Sequence, residues 1–347
     1  MATEQSFWKD KKVLITGHSG FKGMWLSIIL KKLGSELVGI SKENSNCFLY
    51  GSYINKDIFT NEYFCDLSSD KNKLLDKVLQ EQKFDIVFHL AAQALVPEAF
   101  KNPQQTLMTN IMGTFNFISL ILENNVTNSL VVATTDKVYK YPKNKNTEES
   151  HLGGHEFYSA SKVSQEMVLE AFKSLDINLS ISTVRSGNVL GPGDGAEGRI
   201  VTDIIFSLKN NLDIILRQPN SIRPWQDILD SLYGYILIAE QNYKNKVSEI
   251  YNLNSDLNKE VSVLNIANKF LNQWGSTSNI VHKSEKVFHE SEELRLDSSK
   301  AIKNLGWESS IKIDEIISKI CEWEKAESLK SKAEIIDKQI DLFFANK

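Results

Sequence analysis

Near its start the chain runs from the apolar Val13-Leu-Ile-Thr16 into Gly17-His-Ser-Gly20-Phe-Lys-Gly23, and then into a stretch patterned as a helix, Lys22–Leu33. A strand that breaks on spaced glycines and resumes as a helix lets backbone amides approach a pyrophosphate, where the positive end of the helix favours negative charge. Spaced glycines also serve plain turns. What gives these their weight is the pattern that follows. Leu37–Ile40, Ile86–Leu90 and Leu130–Thr134 are bounded apolar runs of strand length, separated by helical stretches at Lys71–Gln82 and Gln105–Glu123. A further helix, Phe157–Leu175, precedes the strand-like Leu179–Val184. Strands alternating with helices predict an α/β fold with a Rossmann-type, doubly wound parallel sheet.

After Gly187 the texture changes. Gly191, Gly193, Gly195 and Gly198 punctuate a loop, and shorter helical and strand-like pieces follow. Ligands of such sheets bind beyond the carboxyl ends of the strands. The expected organisation is therefore a mainly dinucleotide-binding domain over 1–187 and a smaller, mainly substrate-binding domain over 188–325, with interleaved boundaries. A helical tail over 326–347 carries Ile335, Ile336, Ile340 and Phe343 at helical spacing, to pack on the body or on a partner subunit.

With 347 residues, the chain is long enough for one large domain and a smaller one. Its net charge of -4 and the lack of a Lys/Arg-rich run argue against nucleic acid or an anionic membrane as partner. No apolar stretch reaches the length of a membrane span, and Met1–Lys11 is polar, so a cytoplasmic protein is expected. Cys47, Cys65 and Cys321 are too few and too scattered for a disulfide framework or a zinc site, and no metal is expected.

The candidate cofactor residues follow from the glycine turn: Gly17, Gly20 and Gly23, with Phe21 and Lys22 in the first helical turn. An acidic residue after the second strand usually holds the ribose 2′-hydroxyl. Glu43 is available for this, whereas Lys42 suits a 2′-phosphate, so the residues alone leave NAD and NADP open. Asp66, followed by Leu67, stands after the strand-like Tyr63–Cys65, where it can meet an adenine or cap a helix. Leu90, Ala91 and Ala92 end the fourth strand with small side chains, which admits a cofactor or a closely packed helix.

Two clusters carry chemistry. Tyr158-Ser-Ala-Ser-Lys162 places phenol and amine on one helix face, where an ammonium lowers the phenol's pKa and a tyrosinate can serve as base. Thr134-Thr135-Asp136-Lys137 ends the fifth strand at the mouth of the cleft. There Thr135 can hydrogen-bond a reacting hydroxyl, a protonated Asp136 can act as general acid, and a neutral Lys137 as base. Each also has a plain alternative, a surface helix pair and a helix cap beside an exposed lysine.

Together these residues resemble the extended short-chain dehydrogenases/reductases and, within them, the CDP-glucose 4,6-dehydratases. The likeness covers about Trp8 to Trp307. It rests on Gly17-His-Ser-Gly-Phe-Lys-Gly-Met-Trp-Leu26, His89-Leu-Ala-Ala-Gln-Ala-Leu-Val96, Thr135-Asp-Lys137, Tyr158–Lys162, Val184-Arg-Ser-Gly-Asn-Val-Leu-Gly191, Arg217-Gln-Pro, Arg223-Pro-Trp-Gln226 and Leu296-Asp-Ser-Ser-Lys-Ala301 with Leu305-Gly-Trp307. The resemblance implies NAD as cofactor and a nucleotide-sugar substrate in the C-terminal region. It implies oxidation at C4 with Tyr158 and Lys162, elimination of water across C5–C6 by Lys137 and Asp136, and return of hydride to C6. Asn188, Arg199, Arg217 and Arg223 become the candidates for holding the substrate, since arginine offers a planar fork to phosphate oxygens. Trp225 and Trp307 are expected to pack rather than stack on a base. A homo-oligomer, dimer or higher, is also implied.

Three places depart from the pattern. Pro97 stands where Arg is expected, His155-Glu156-Phe157 precedes Tyr158 where Asp-Pro is usual, and Ala196-Glu197-Gly198-Arg199 replaces the familiar Trp-Ala-x-Asp-Arg. The competing functions are a nucleotide-sugar epimerase or reductase of the same fold, which needs no acid–base pair for elimination, and a nucleotide-binding relative without turnover.

Overall fold

The computed structural model describes residues 5–42, 47–53, 56–69, 72–141, 145–258, 260–283 and 293–347. Glu43, the candidate ribose partner, lies outside them. Seven strands form one parallel sheet: β1 (Lys12–Thr16), β2 (Glu36–Ser41), β3 (Asn61–Phe64), β4 (Ile86–His89), β5 (Ser129–Ala133), β6 (Ser180–Ser186) and β7 (Ile250–Leu253). Their spatial order is β7-β6-β5-β4-β1-β2-β3. The order reverses between β1 and β4, the switch point where such sheets open a ligand crevice.

Strands β1, β4, β5 and β6 are buried on both faces, which is why they read as apolar runs rather than as alternating patterns, whereas the edge strand β3 is largely exposed. Val13 and Ile15 enter one core cluster and Leu14 the other, as the two-residue repeat of a strand requires. Register aligns the carboxyl ends, with Thr16 beside both Ile40 and His89, and Ala133 beside Val184. Thr16, His89, Ala133 and Ser186 therefore end along one rim, and the loops after them share one cleft.

Helices Phe21–Lys32 and Lys73–Glu81 form close to where the periodicity places them. The stretch read as a single helix, Gln105–Glu123, is more broken. An α-turn at Pro103–Leu107 passes into a π-turn at Met108–Met112 before α-helix resumes at Gly113–Glu123. Beyond residue 187 the chain does not leave the sheet for good. Helix Ile228–Asn245, capped by Asp227 accepting from the Leu229 amide at 2.7 Å, packs against β5 and β6, and β7 then joins the sheet edge. Short parallel pairs, Asn188–Leu190 with Trp225–Asp227 and Ile214–Leu216 with Ile280–His282, build the region over the strand ends together with helices Ile200–Lys209 and Val263–Trp274.

The tail is a helix, Leu329–Phe344, and its apolar stripe packs on the body. Ile336, Ile340 and Phe343 are buried and Ile335 half-buried, while Tyr53 donates to the Ala333 carbonyl at 3.0 Å and to Asp337 Oδ1 at 2.9 Å. Among the described residues no helix is long and apolar enough to cross a membrane.

Candidate active site

The glycine turn is built without room for side chains. Gly17 has φ +73°, and a Cβ there would lie 2.7 Å from the Ala91 nitrogen. A Cβ on Gly23 would lie 2.0 Å from the Gly17 carbonyl oxygen. These contacts lock the turn between β1 and β4. Gly20 then starts the helix with no side chain capping it, leaving the first amides, including those of Phe21 and Lys22, to an anionic ligand. The cradle thus fits a dinucleotide pyrophosphate. His18, inside the turn, is fully buried under Gly39 and shares its Nε2 with Glu62 at 2.9 Å.

Along the cofactor crevice the structure treats the remaining candidates differently. Leu90 and Ala91 flank Gly17, with the Ala91 amide donating to Thr16 Oγ1 at 3.3 Å, and Ala92 is exposed. Asp66 is engaged on both sides, accepting from the Ser68 amide at 2.9 Å and pairing with Lys42 at 2.7 Å. Burial pushes its pKa up, but Lys42 and Ser68 outweigh that and hold the carboxyl below its ordinary range. Lys42 is thereby occupied by a carboxylate, which disfavours a second anion, the 2′-phosphate, at that place. The Leu67 side chain is taken up by the core beside Gly113.

The two chemical clusters meet. Thr135 caps the turn Asp136–Val138, accepting from the Lys137 amide at 3.3 Å, donating to Asp136 Oδ1 at 3.0 Å and standing close enough to the Tyr158 phenol to act on it. Lys137 Nζ stands 6.0 Å from the centre of the Tyr158 ring. Asp136 is buried, and its Oδ2 has no hydrogen-bond partner among the described residues. Burial raises its pKa, against the pull of Lys137, Thr135, Arg223 and Lys22, so the carboxyl keeps its proton to a higher pH than a free aspartic acid does.

Lys162 is not among the largest influences on the Tyr158 phenol. Burial is the largest influence on both groups: it pushes Tyr158 up to about 12 and Lys162 down to about 7. Lys162 Nζ donates instead to the Ala133 carbonyl at 2.9 Å. Spacing on a helix puts the two on one face, but burial decides how much charge either carries.

Lys22, Arg199 and Arg223 surround this group. Burial lowers Lys22 to about 8, with Arg199 adding to the effect, and its Nζ stands 5.6 Å from the Tyr235 ring centre. Arg199 pairs with Asp194 at 2.5 Å, so part of its role is to tie its own loop, yet its charge reaches both Lys22 and Tyr158. Arg223 is buried, donates to the Ile222 carbonyl at 3.0 Å and acts on Asp136. Asn188 is half-buried on the strand paired with Trp225–Asp227. Arg217 stands exposed, its charge acting on Asp203. Trp225 and Trp307 are buried, donating to the carbonyls of Val261 and Asp230 at 2.7 and 2.8 Å, and they pack. Two of the sequence departures come together: the Pro97 ring lies 3.5 Å from where a Cβ on Gly198 would be.

One participant was missed. Asn110, in the π-turn, accepts from the Gln93 amide at 2.8 Å and donates to Ser161 at 2.8 Å, joining the loop after β4 to the Tyr158 helix. π-turns concentrate at functional sites, but nothing in the local apolar spacing announces one.

Comparison with known proteins gives the family and the fold. The GDP-mannose 4,6 dehydratase family matches residues 14–320. The chain is 34% identical over 338 residues to a CDP-glucose 4,6-dehydratase of Salmonella typhimurium, covering 93% of each chain. It is 28% identical to a dTDP-D-glucose 4,6-dehydratase of Dictyostelium discoideum over 76% of this chain and 62% of that one. A solved UDP-glucose-4-epimerase from Stenotrophomonas maltophila, holding NAD and formylated UDP-arabinopyranose, shares the fold with a TM-score of 0.81 at 19% identity, over 91% of this chain and 98% of that one. By its sequence, the chain belongs to the GDP-mannose 4,6 dehydratase family, an enzyme family of the extended short-chain dehydrogenase/reductase type.

Proposed function

We propose that this enzyme is an NAD-dependent nucleotide-sugar 4,6-dehydratase that converts CDP-glucose to CDP-4-keto-6-deoxyglucose. The observation that carries the reading is Asp136: a buried carboxyl at a strand end, raised in pKa, hydrogen-bonded by Thr135, which acts on Tyr158, and adjacent to Lys137. When bound, NAD supplies the reversible redox step, taking hydride from C4 and giving it back at C6. Tyr158 takes the proton of the 4-hydroxyl, steadied by Thr135. The 4-ketone makes the C5 proton acidic, and Lys137 removes it while Asp136 protonates the departing C6 hydroxyl, which leaves as water; Lys137 then returns its proton to C5 as C6 is reduced. Lys22, Arg199 and Arg223 supply positive charge for the substrate's diphosphate, with Asn188 beside them. The 34% identity to the Salmonella typhimurium enzyme over nearly the whole chain supports CDP-glucose as the substrate.

Incubation with CDP-glucose and NAD, followed by mass spectrometry, is expected to show loss of one water. An unchanged mass with a new sugar stereochemistry would instead mark an epimerase. In the Lys137→Ala variant, reduced cofactor should build up without dehydrated product, and normal product formation would remove Lys137 from the mechanism. The same reading places the enzyme in the cytoplasm, in deoxysugar supply for O-antigen or other polysaccharide, and as a homo-oligomer. Exposed Met112, Phe115, Phe157 and Met167 on neighbouring helices support self-association, which sedimentation analysis tests.

A further inference from the structure

Beneath the site, the end of β5 and the Tyr158–Lys162 helix are joined by an ion pair withdrawn from water. Glu166 follows Lys162 by one helical turn. Its carboxylate accepts from Thr134 Oγ1 at 2.7 Å and from Arg185 Nε at 3.0 Å to each oxygen, and the guanidinium Nη2 completes the fork. The two side chains are only 1% and 2% exposed. Arg185 projects from β6, and its Nη1 donates to Tyr139 Oη at 2.8 Å and to the Glu148 carbonyl at 3.0 Å. Tyr139 in turn donates to Asn252 Oδ1 on β7 at 2.6 Å.

The placement of these contacts is what matters. Thr134 immediately precedes Thr135-Asp136-Lys137, and Tyr139 follows it after Val138. Both ends of the turn that carries the acid and the base are therefore tied to one ion pair. The pair's carboxylate sits on the helix that carries Tyr158 and Lys162, and Lys162 itself holds the Ala133 carbonyl next to Thr134. The charged and titratable groups that act on Lys162 are Glu166 and Lys22, and Lys162 in turn acts on His89. A buried ion pair seldom adds net stability over apolar packing, so its presence asks for another reason.

We propose that the Glu166–Arg185 pair, with Thr134 and Tyr139, positions the Asp136–Lys137 turn against Tyr158, so that elimination of water depends on it more than the initial oxidation does. This rests on the dehydratase reading. Oxidation at C4 draws on Tyr158 from its own helix and on Thr135 alone from the turn, whereas elimination needs both Asp136 and Lys137 held in register with that helix. Displacement of about an ångström costs up to about a hundredfold in rate.

The test uses the full-length enzyme with NAD and CDP-glucose, following reduced cofactor by absorbance and product by mass in single turnovers. Wild-type enzyme that forms no dehydrated product overturns the dehydratase reading, and the proposal with it. Given an active wild type, Thr134→Val should slow elimination about tenfold or more with oxidation within about twofold, and Thr134→Ser should restore it. Tyr139→Phe, which loosens the turn from its other end, should give the same split. Both variants keep size and charge, and thermal unfolding checks their folding. Elimination and oxidation slowed equally, both unchanged, or no rescue by serine overturns the proposal.

Discussion

At the scale of single residues, burial sets the chemistry more than sequence spacing does. Asp136 is an acid whose folded pKa is raised. It favours the folded state below its unfolded pKa, and that contribution is lost as pH rises through the folded value. Asp136→Asn should therefore raise the thermal midpoint at about pH 8, with the gain shrinking towards about pH 4, while dehydration is lost. Scanning calorimetry at the two pH values, beside a turnover assay, checks both halves. Lys162 works in the opposite sense. Lowered to about 7 in the fold, it binds its proton in the unfolded chain up to about pH 10. Between these values the unfolded state holds the extra proton, so stability rises with pH. Lys162→Met should remove that contribution, read as a smaller rise in denaturant midpoint between about pH 7 and about pH 9 than the wild type shows. The Tyr-x-x-x-Lys spacing was legible in the sequence. That the phenol would stand near 12 was not, because desolvation comes from residues far along the chain.

At the scale of elements, the glycine turn is the least tolerant part of the site. Gly23→Ala would drive a methyl group into the Gly17 carbonyl, and both neighbours are backbone that cannot rotate away. The expected result is a folded-state shift of the turn, with NAD affinity reduced by at least about tenfold as measured by calorimetric titration; unchanged affinity would contradict a pyrophosphate at this turn. The strand positions of the first half were readable to within a residue or two, since all of them but the polar edge strand β3 are apolar runs closed by turn residues. β7 was not, because Ile250–Leu253 is short, carries Asn252, and becomes a strand by pairing with β6. The π-turn at Met108–Met112 was hidden for a similar reason: a π-turn keeps the helical composition and differs only in how the backbone closes around Asn110.

At the scale of the whole molecule, the C-terminal helix fastens the segment after β2 to the body. Tyr53 and Lys56 both reach Asp337, and Ile336, Ile340 and Phe343 are withdrawn from water. Each such side chain contributes about 1.5–3 kcal/mol on burial. Removal of residues 326–347 should lower stability by several kcal/mol, on the order of the sum of these terms, measured as a shift in denaturant midpoint. A truncated chain as stable as the full one would mean that the stripe is not part of the core.

The sequence by itself determined the parallel sheet, the glycine turn and the two chemical clusters, because each is written in local spacing that a short window of chain must obey. Tertiary structure alone decided that the clusters share one pocket, that Lys42 is spent on Asp66, that Arg199 is tied to Asp194 while Arg223 faces Asp136, and that Glu166 and Arg185 lie beneath the site. These depend on which strands end beside one another and on how much water the packed chain excludes, and both are set by contacts between residues far apart in the sequence.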